Sequence, residues 1–123
     1  MPYFYKTSEV MARQLVPGVT LRAMWGERIL MSYLEMGPNC VVPMHTHPHE
    51  QCGLVLEGEF DMTIGGETRR MKPGDAYVIP GGVPHAVQGL DGTAIALDIF
   101  SPPREEYKPE QERVVTQWKQ VKA

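Results

Sequence analysis

The 123-residue sequence contains no apolar run close to the roughly 20 residues that a transmembrane helix needs. Its first residues form no extended apolar segment before a small-residue cleavage site, so we expect no signal peptide and no membrane partner. Lysine and arginine never cluster beyond Arg69-Arg70, and the net charge is −3, which argues against nucleic acid as a partner. There are only two cysteines, Cys40 and Cys52, and free thiols suit a reducing compartment, so we expect a cytoplasmic protein.

Short runs with strand character fill the chain, separated by 12 glycines and 11 prolines that are spread throughout. Such spacing is typical of an all-β sandwich or barrel, and the apolar content of 42% is enough for one core. The predicted strands are Val19–Trp25, Ile29–Met36, Val41–His47, Gln51–Leu56, Glu59–Ile64, Thr68–Met71, Ala76–Ile79, His85–Gly89 and Thr93–Phe100. A Gly65-Gly66 hairpin is expected between the fifth and sixth of them.

The expected organisation is one domain over residues 1–123, with a barrel at about 20–105, an N-terminal arm at 1–18 and a C-terminal tail at 106–123. Ser101-Pro102-Pro103 should end the last strand, because proline cannot donate to a strand ladder. In the tail, Val114, Trp118 and Val121 have helical spacing, which predicts a short helix or else a frayed end.

The predicted strand Gln51–Leu56 has no charged residue on either face. Side chains alternate along a strand, so both of its faces should be buried, whereas the outside of a small barrel is normally in water. Either the N-terminal arm or a second subunit must therefore cover the outer face. We favour a homodimer.

Histidines with metal-ligand character occur in two segments, His45-Thr46-His47 and a glycine- and proline-rich turn that ends at His85. Neutral imidazole is a common ligand for divalent transition metals, and two residues in an H-x-H strand point to the same face. Gln51 shares that face if the strand is regular, although a bulge at Pro48 would favour Glu50 instead. His49 would then lie at the rim of the site.

Cys40 is a further residue to consider, since it could also lie near the metal if the strand bends at Pro43.

These segments resemble the two sequence motifs of the cupin superfamily. The first motif is matched by His45, His47, Gln51 and Gly58, and the second by Gly74, Pro80, Gly82 and His85. The matches depart from the usual pattern in three places: Gly37 lies two residues too far from His45, Gly89 replaces an asparagine, and Gln51 replaces a glutamate. The resemblance implies a cupin β-barrel, which is a double-stranded β-helix or jelly roll. It also implies one divalent metal ion (Zn, Ni, Mn, Fe or Co) held by His45, His47, Gln51 and His85.

A neutral amide in place of a carboxylate leaves the full +2 charge on a bound divalent metal. Such an ion attracts anionic substrates and polarises carbonyl or hydroxyl oxygens, but it stabilises a trivalent state less well. The ligand set therefore favours chemistry without net oxidation.

The predicted last strand places Asp98 on the same face as Ala94, Ala96 and Phe100. A buried carboxylate needs a partner, so Asp98 is either an edge residue bonded to a turn or a pocket residue that transfers protons or contacts substrate. Arg104 could bind a substrate carboxylate with its bidentate fork, or pair on the surface with Glu105 or Glu106.

A closer resemblance, to the small cupins related to the pectin-degradation protein KdgF, implies that Asp98, Phe100 and Arg104 are pocket residues. It rests on the segment His45 to Gln51, the turn Val55 to Glu59 and the segment Leu97 to Arg104. It also implies conversion of 4,5-unsaturated uronates to their linear keto form.

The expected function is thus metal-dependent isomerisation or ring opening of a small, oxygen-rich, anionic substrate, with Asp98 and Arg104 as catalytic residues and Phe100 and Arg104 as substrate-binding residues. A cupin-type dioxygenase and a non-catalytic module that binds a small ligand or sugar remain as alternatives.

Overall fold

The computed structural model describes residues 3–108, which form ten β-strands in two antiparallel sheets. The strands are β1 (Arg13–Val16), β2 (Val19–Trp25), β3 (Leu30–Met36), β4 (Val41–His45), β5 (Glu50–Glu57), β6 (Phe60–Ile64), β7 (Glu67–Met71), β8 (Ala76–Ile79), β9 (His85–Gly89) and β10 (Ala94–Ser101). A 3₁₀ turn, Glu105–Tyr107, follows the last strand. No helix in this part of the chain is long and apolar enough to cross a membrane.

The strands are ordered β1-β2-β3-β10-β5-β8 in the larger sheet and β4-β9-β6-β7 in the smaller one. Their inner faces carry most of the buried apolar side chains, with Leu34, Val55, Phe60 and Phe100 among them. This architecture confirms the all-β cupin barrel that the sequence predicted.

All nine predicted strands are present, with ends shifted by up to two residues. The strand β1 was not predicted, because its four residues, RQLV, show too little alternation to be recognised. The strand β4 ends at His45 rather than His47, and bends at Pro48 and His49 precede β5. The Gly65-Gly66 hairpin is confirmed: both glycines have positive φ, and Ile64 pairs with Glu67.

The outer face of β5 is exposed in the described chain, contrary to the expectation of burial on both sides. Leu54 and Leu56 are 41% and 39% exposed, and Val78 on the neighbouring strand β8 is 63% exposed. Tyr3 and Phe4 in the N-terminal arm are both 92% exposed, so these two residues do not cover this face. A second subunit remains the candidate for covering this face.

The last strand ends where the two prolines predict. The strand β10 ends at Ser101, immediately before Pro102-Pro103, as predicted. The helix expected over Val114, Trp118 and Val121 lies outside the described residues.

Candidate metal centre

Three buried imidazoles come together where β4 and β9 meet. His45 ends β4, His85 begins β9, and the two residues are directly paired across the strands. His47 comes from the loop that leads into β5, and its ring centroid lies 4.9 Å from that of His85. One ligand atom from each residue lies within 4.8 Å of the others. That span is close to twice the roughly 2.1 Å length of a metal–nitrogen bond, so the three histidines could hold a metal ion.

The backbone sets the tautomer of each ring. The Nδ1 atoms of His45, His47 and His85 lie 2.8, 3.0 and 2.9 Å from the carbonyl oxygens of Pro43, His49 and Val83. A carbonyl accepts only, so each Nδ1 carries the proton and each Nε2 keeps its lone pair. Among the described residues, the Nε2 atom of His85 is buried without a hydrogen-bond partner. In metal-binding histidines the ring nitrogen that does not bind the metal is typically held by a hydrogen bond of this kind.

Burial also keeps the imidazoles neutral. It lowers the pKa of His45 to about 3, with repulsion from His85 as the next cause, and it lowers the pKa of His47 to about 4, helped by the charge of Arg104. Burial likewise lowers the pKa of His85. All three rings are therefore uncharged near pH 7 and can bind a cation.

Gln51 points into the same cluster and is only 6% exposed, whereas Glu50 is exposed. Its Oε1 atom lies 3.0 Å from Nε2 of His47. A side-chain hydrogen bond between Gln51 and Asp98 lowers the pKa of the Asp98 carboxyl. A carboxylate cannot donate, so the NH₂ end faces Asp98 and the oxygen faces the imidazoles. Two lone pairs that face each other at this distance fit a cation shared between them, and the donor set therefore suits a metal.

Asp98 is an inward residue of β10, as the alternation predicted, and it is 4% exposed. Its Oδ1 atom accepts a hydrogen bond from the hydroxyl of Tyr77 on β8. Burial raises the pKa of Asp98 to about 6, although the hydrogen bonds from Tyr77 and Gln51 and the charge of Arg104 act in the opposite direction. The carboxyl group can thus gain or lose a proton near neutral pH.

Arg104 is buried, with 2% exposure, rather than on the surface. Its guanidinium lies over the rings of Phe100 and Tyr107, with its central carbon 5.3 and 4.2 Å from their centroids. One nitrogen donates to the Tyr107 hydroxyl at 2.8 Å and another to the Glu106 carboxylate at 2.8 Å. Of the two acidic partners considered from the sequence, the structure selects Glu106, while Glu105 pairs with Lys108.

A cavity of about 30 Å³ lies between these groups. Its lining includes His85, Asp98, Phe100, Arg104 and Tyr107. This volume holds one or two water molecules. His45, Gln51, His85, Asp98, Phe100 and Arg104 all line this cavity, and His47 lies beside it, with its ring 4.9 Å from that of His85.

Two expectations about neighbouring residues have different outcomes. His49 lies at the rim, where its backbone carbonyl holds His47. Cys40 packs against Gly89 and is absent from the ligand cluster found among residues 3–108, so the suggestion that it lies near the metal was wrong.

Sequence reasoning missed Tyr77 and Tyr107. Tyr77 is the inward aromatic residue of a four-residue strand, and no local pattern pairs it with a carboxylate 21 residues away. Tyr107 lies three residues after Arg104 and accepts a hydrogen bond from it, and the available signal was that a buried arginine needs hydrogen-bond partners nearby.

The fold and the site define a small β-barrel protein with a three-histidine centre that could bind a metal. The chain belongs to the cupin family, because the family model described as a Cupin domain matches residues 32–100.

Individual relatives agree with this membership. The chain is 31% identical over 84 residues to the pectin degradation protein KdgF of Dickeya dadantii, covering 68% of this chain and 76% of that protein. It is 41% identical over 73 residues to the H2HPP isomerase of Bacillus subtilis, covering 58% of this chain but only 30% of that protein. The solved structure of KdgF from Halomonas sp. superposes with a TM-score of 0.81 at 27% identity, covering 88% of this chain and 100% of the other.

Proposed function

We propose that this protein is a metal-dependent enzyme that isomerises or opens the ring of a small carboxylate-bearing sugar acid, with 4,5-unsaturated uronates as the substrate class. One observation carries the proposal: the three imidazole lone pairs and the Gln51 oxygen converge beside a buried carboxylate and a buried arginine. The likeness to a pectin degradation protein and to an isomerase supports the same class of substrate and reaction.

His45, His47, His85 and Gln51 would hold one divalent ion, with zinc, nickel, manganese, iron and cobalt all suited to such ligands. A bound ion of this kind would supply Lewis acidity toward a hydroxyl or carbonyl oxygen of the substrate. Phe100 would form an apolar wall of the pocket, since its ring lies 5.7 Å from the ring of His47.

Arg104 would bind the substrate carboxylate. The guanidinium already holds a carboxylate in this structure, that of Glu106, at 2.8 Å and in surroundings that exclude most water. Charge-assisted bonds of this type are among the stronger ones in proteins. The small cavity requires the segment Arg104–Tyr107 to move when a sugar acid enters, and the substrate carboxylate would replace that of Glu106.

Asp98 would move the proton. Ring opening of an unsaturated uronate takes a proton from the anomeric hydroxyl as the bond between the anomeric carbon and the ring oxygen breaks, and the resulting enolate becomes a ketone when a proton adds to carbon. One group that takes a proton and returns it balances this reaction, and no oxidant is required. The raised pKa of Asp98, about 6, suits a group that works in both directions.

The test is to load the protein separately with each candidate metal and to follow the loss of the ultraviolet absorbance of an unsaturated uronate. Faster loss than in buffer, abolished in Asp98→Asn, is the expected result. No acceleration with any metal contradicts the enzyme assignment, and tight uronate binding without turnover indicates a binding module. Oxygen consumption with the Fe(II) form and an enediol or flavonol substrate would instead indicate a dioxygenase.

We also propose that the protein forms a homodimer through the outer face of β5 and β8. Leu54, Leu56 and Val78 make this face apolar, and exposed apolar patches of this kind mark interaction surfaces. Sedimentation should show a dimer that dissociates when Leu54 and Val78 are both changed to lysine. Val41→Lys, at an exposed apolar position on the other sheet, is the matched control, and a wild-type monomer at micromolar concentration would contradict the proposal.

The compartment is proposed to be the reducing cytoplasm, because Cys40 and Cys52 are both free thiols.

A further inference from the structure

Three neighbouring strands place Asp98, Gly53 and Tyr77 in one row. Gly53 on β5 pairs with Asp98 on β10 to one side and with Tyr77 on β8 to the other. The central residue has no side chain, so the tyrosine reaches across it and donates a hydrogen bond to Asp98. A Cβ atom at Gly53 would lie under 3.0 Å from both the Asp98 carboxylate and the Tyr77 ring. The glycine is therefore required for this hydrogen bond.

The hydrogen bond from Tyr77 to Asp98 is the first of a series of contacts that leads to the imidazoles, and the donor and the acceptor of each hydrogen bond in it are fixed. Tyr77 donates to Asp98, Asp98 accepts from the Gln51 amide, and the Gln51 oxygen faces His47. Each link fixes the next, because a carboxylate only accepts and the two ends of an amide differ. The side chains of Tyr77, Asp98, Gln51 and His47 are all buried, so water does not compete for the same bonds.

We propose that Tyr77 and Gly53 are positioning residues of the metal centre: they hold the Asp98 carboxylate where it keeps the oxygen of Gln51 turned toward the three imidazoles. Tyr77 bonds to Asp98 and Gly53 has no side chain, so both would act through Asp98 and not as ligands. The inference rests on the proposed function, since it takes Gln51 to be a metal ligand.

The test measures metal affinity, with Co²⁺ as the probe and competition against a chelator as the readout. Tyr77→Phe removes only the hydroxyl and should weaken binding about tenfold, at the lower end of the range for residues that orient metal ligands. The visible absorption of bound Co²⁺ should also change, because it reports the number and geometry of ligands. Tyr33→Phe, a tyrosine on β3 outside the cluster, should stay within twofold of the wild type.

A double-variant comparison separates positioning from general structural support. In a Gln51→Ala background, Tyr77→Phe should cause no further loss of affinity, since the group it positions is gone. Equal losses in both backgrounds would overturn the proposal. So would a folded Tyr77→Phe protein with wild-type affinity and spectrum.

Gly53→Ala provides a second route, because the added methyl pushes Tyr77 and Asp98 apart, and it should weaken binding in the same direction. If neither variant folds, the wild-type protein still gives an answer. The side-chain amide protons of Gln51 should exchange slowly with solvent while Asp98 accepts from them, and rapid exchange would overturn the proposal. If Gln51→Ala binds Co²⁺ as tightly as the wild type, or if the wild type binds no Co²⁺, then the proposed metal site itself is wrong. The positioning role of Tyr77 and Gly53 falls with it.

Discussion

Replacing Glu106 by glutamine should increase the affinity of the metal-loaded protein for an anionic sugar acid. In the structure the Glu106 carboxylate lies 2.8 Å from the Arg104 guanidinium, which is 2% exposed, and it occupies the position that the proposal gives to a substrate carboxylate. Burial raises the pKa of Glu106, but the charge and hydrogen bond of Arg104 together outweigh it and lower that pKa. Glu106 is therefore ionised at neutral pH and competes with any incoming anion.

The size of the effect follows from the kind of bond that is lost. A hydrogen bond to a charged group contributes roughly 1.5–3 kcal/mol and a neutral one about 0.5–1.5 kcal/mol. Glu106→Gln should therefore weaken the interaction of residue 106 with Arg104 by about 1.4 kcal/mol. That difference corresponds to about a tenfold increase in the fraction of molecules whose arginine is available, and to the same gain in apparent affinity.

The assay is calorimetric titration of the metal-loaded protein with a saturated uronate such as galacturonate, which cannot react. Glu105→Gln is the matched control, because it removes the same charge one residue away, from a carboxylate that pairs with Lys108 at 2.9 Å instead of Arg104. The control should stay within about twofold, the residual effect of long-range charge. Equal gains in both variants, or no gain in Glu106→Gln, would refute the reasoning that Glu106 occupies the carboxylate position.

Three further predictions concern the site and the barrel. His47→Ala should lose the bound metal in elemental analysis, whereas His49→Ala should keep it, and full stoichiometry in the first variant would count against the centre. In chelator, the free energy of unfolding should rise from about pH 4 to pH 6.5. The buried imidazoles have folded pKa values of about 3 and 4, so the unfolded state binds more protons there, and stability is lost as pH falls; Asp98, raised to about 6, opposes part of this. The two imidazoles, less the opposing Asp98, leave a net uptake of about one proton on unfolding, which gives roughly 1.4 kcal/mol per pH unit, and a melting temperature that does not change over this range would contradict it. Gly58→Ala should destabilise by about 3 kcal/mol in urea unfolding, because Gly58 has φ +73° and a Cβ there would lie under 3.0 Å from backbone atoms; Gly26→Ala, with nothing within 4 Å, should change stability by less than about 0.5 kcal/mol.

Sequence alternation predicted the inward residues wherever strands are regular. Gln51 and Asp98 lie on eight-residue strands, in the part where the pairing of β5 with β10 is regular, so a period of two was enough to place them on the pocket side. His47 was assigned to the pocket for an incomplete reason, since β4 ends at His45. Its ring reaches the cluster because its Nδ1 atom bonds to the carbonyl of His49 within the loop, a contact that no periodic pattern describes.

Contacts between strands that are far apart in the sequence could not be predicted from it. The hydrogen bond from Tyr77 to Asp98 depends on the order of β10, β5 and β8 in the sheet and on their register, and neither can be read from spacing along one chain. The choice of Glu106 over Glu105 depends on the 3₁₀ turn after β10, in which successive side chains point about 120° apart. In both cases the residues were visible, but their partners were set by tertiary structure.

The position of Asp98 explains why an amide suits residue 51, where the related motif usually has glutamate. A glutamate there would bring two buried carboxylates into contact, and one of them would have to hold a proton. With glutamine, the hydrogen bond from the amide stabilises the ionised form of Asp98 and opposes the rise in its pKa. In the proposed site the negative charge therefore lies one hydrogen bond away from the metal instead of on it. A carboxylate bound to a metal is a weak base, whereas one held beside the ligands keeps its capacity to accept a proton, and this is the property that ring opening without oxidation requires.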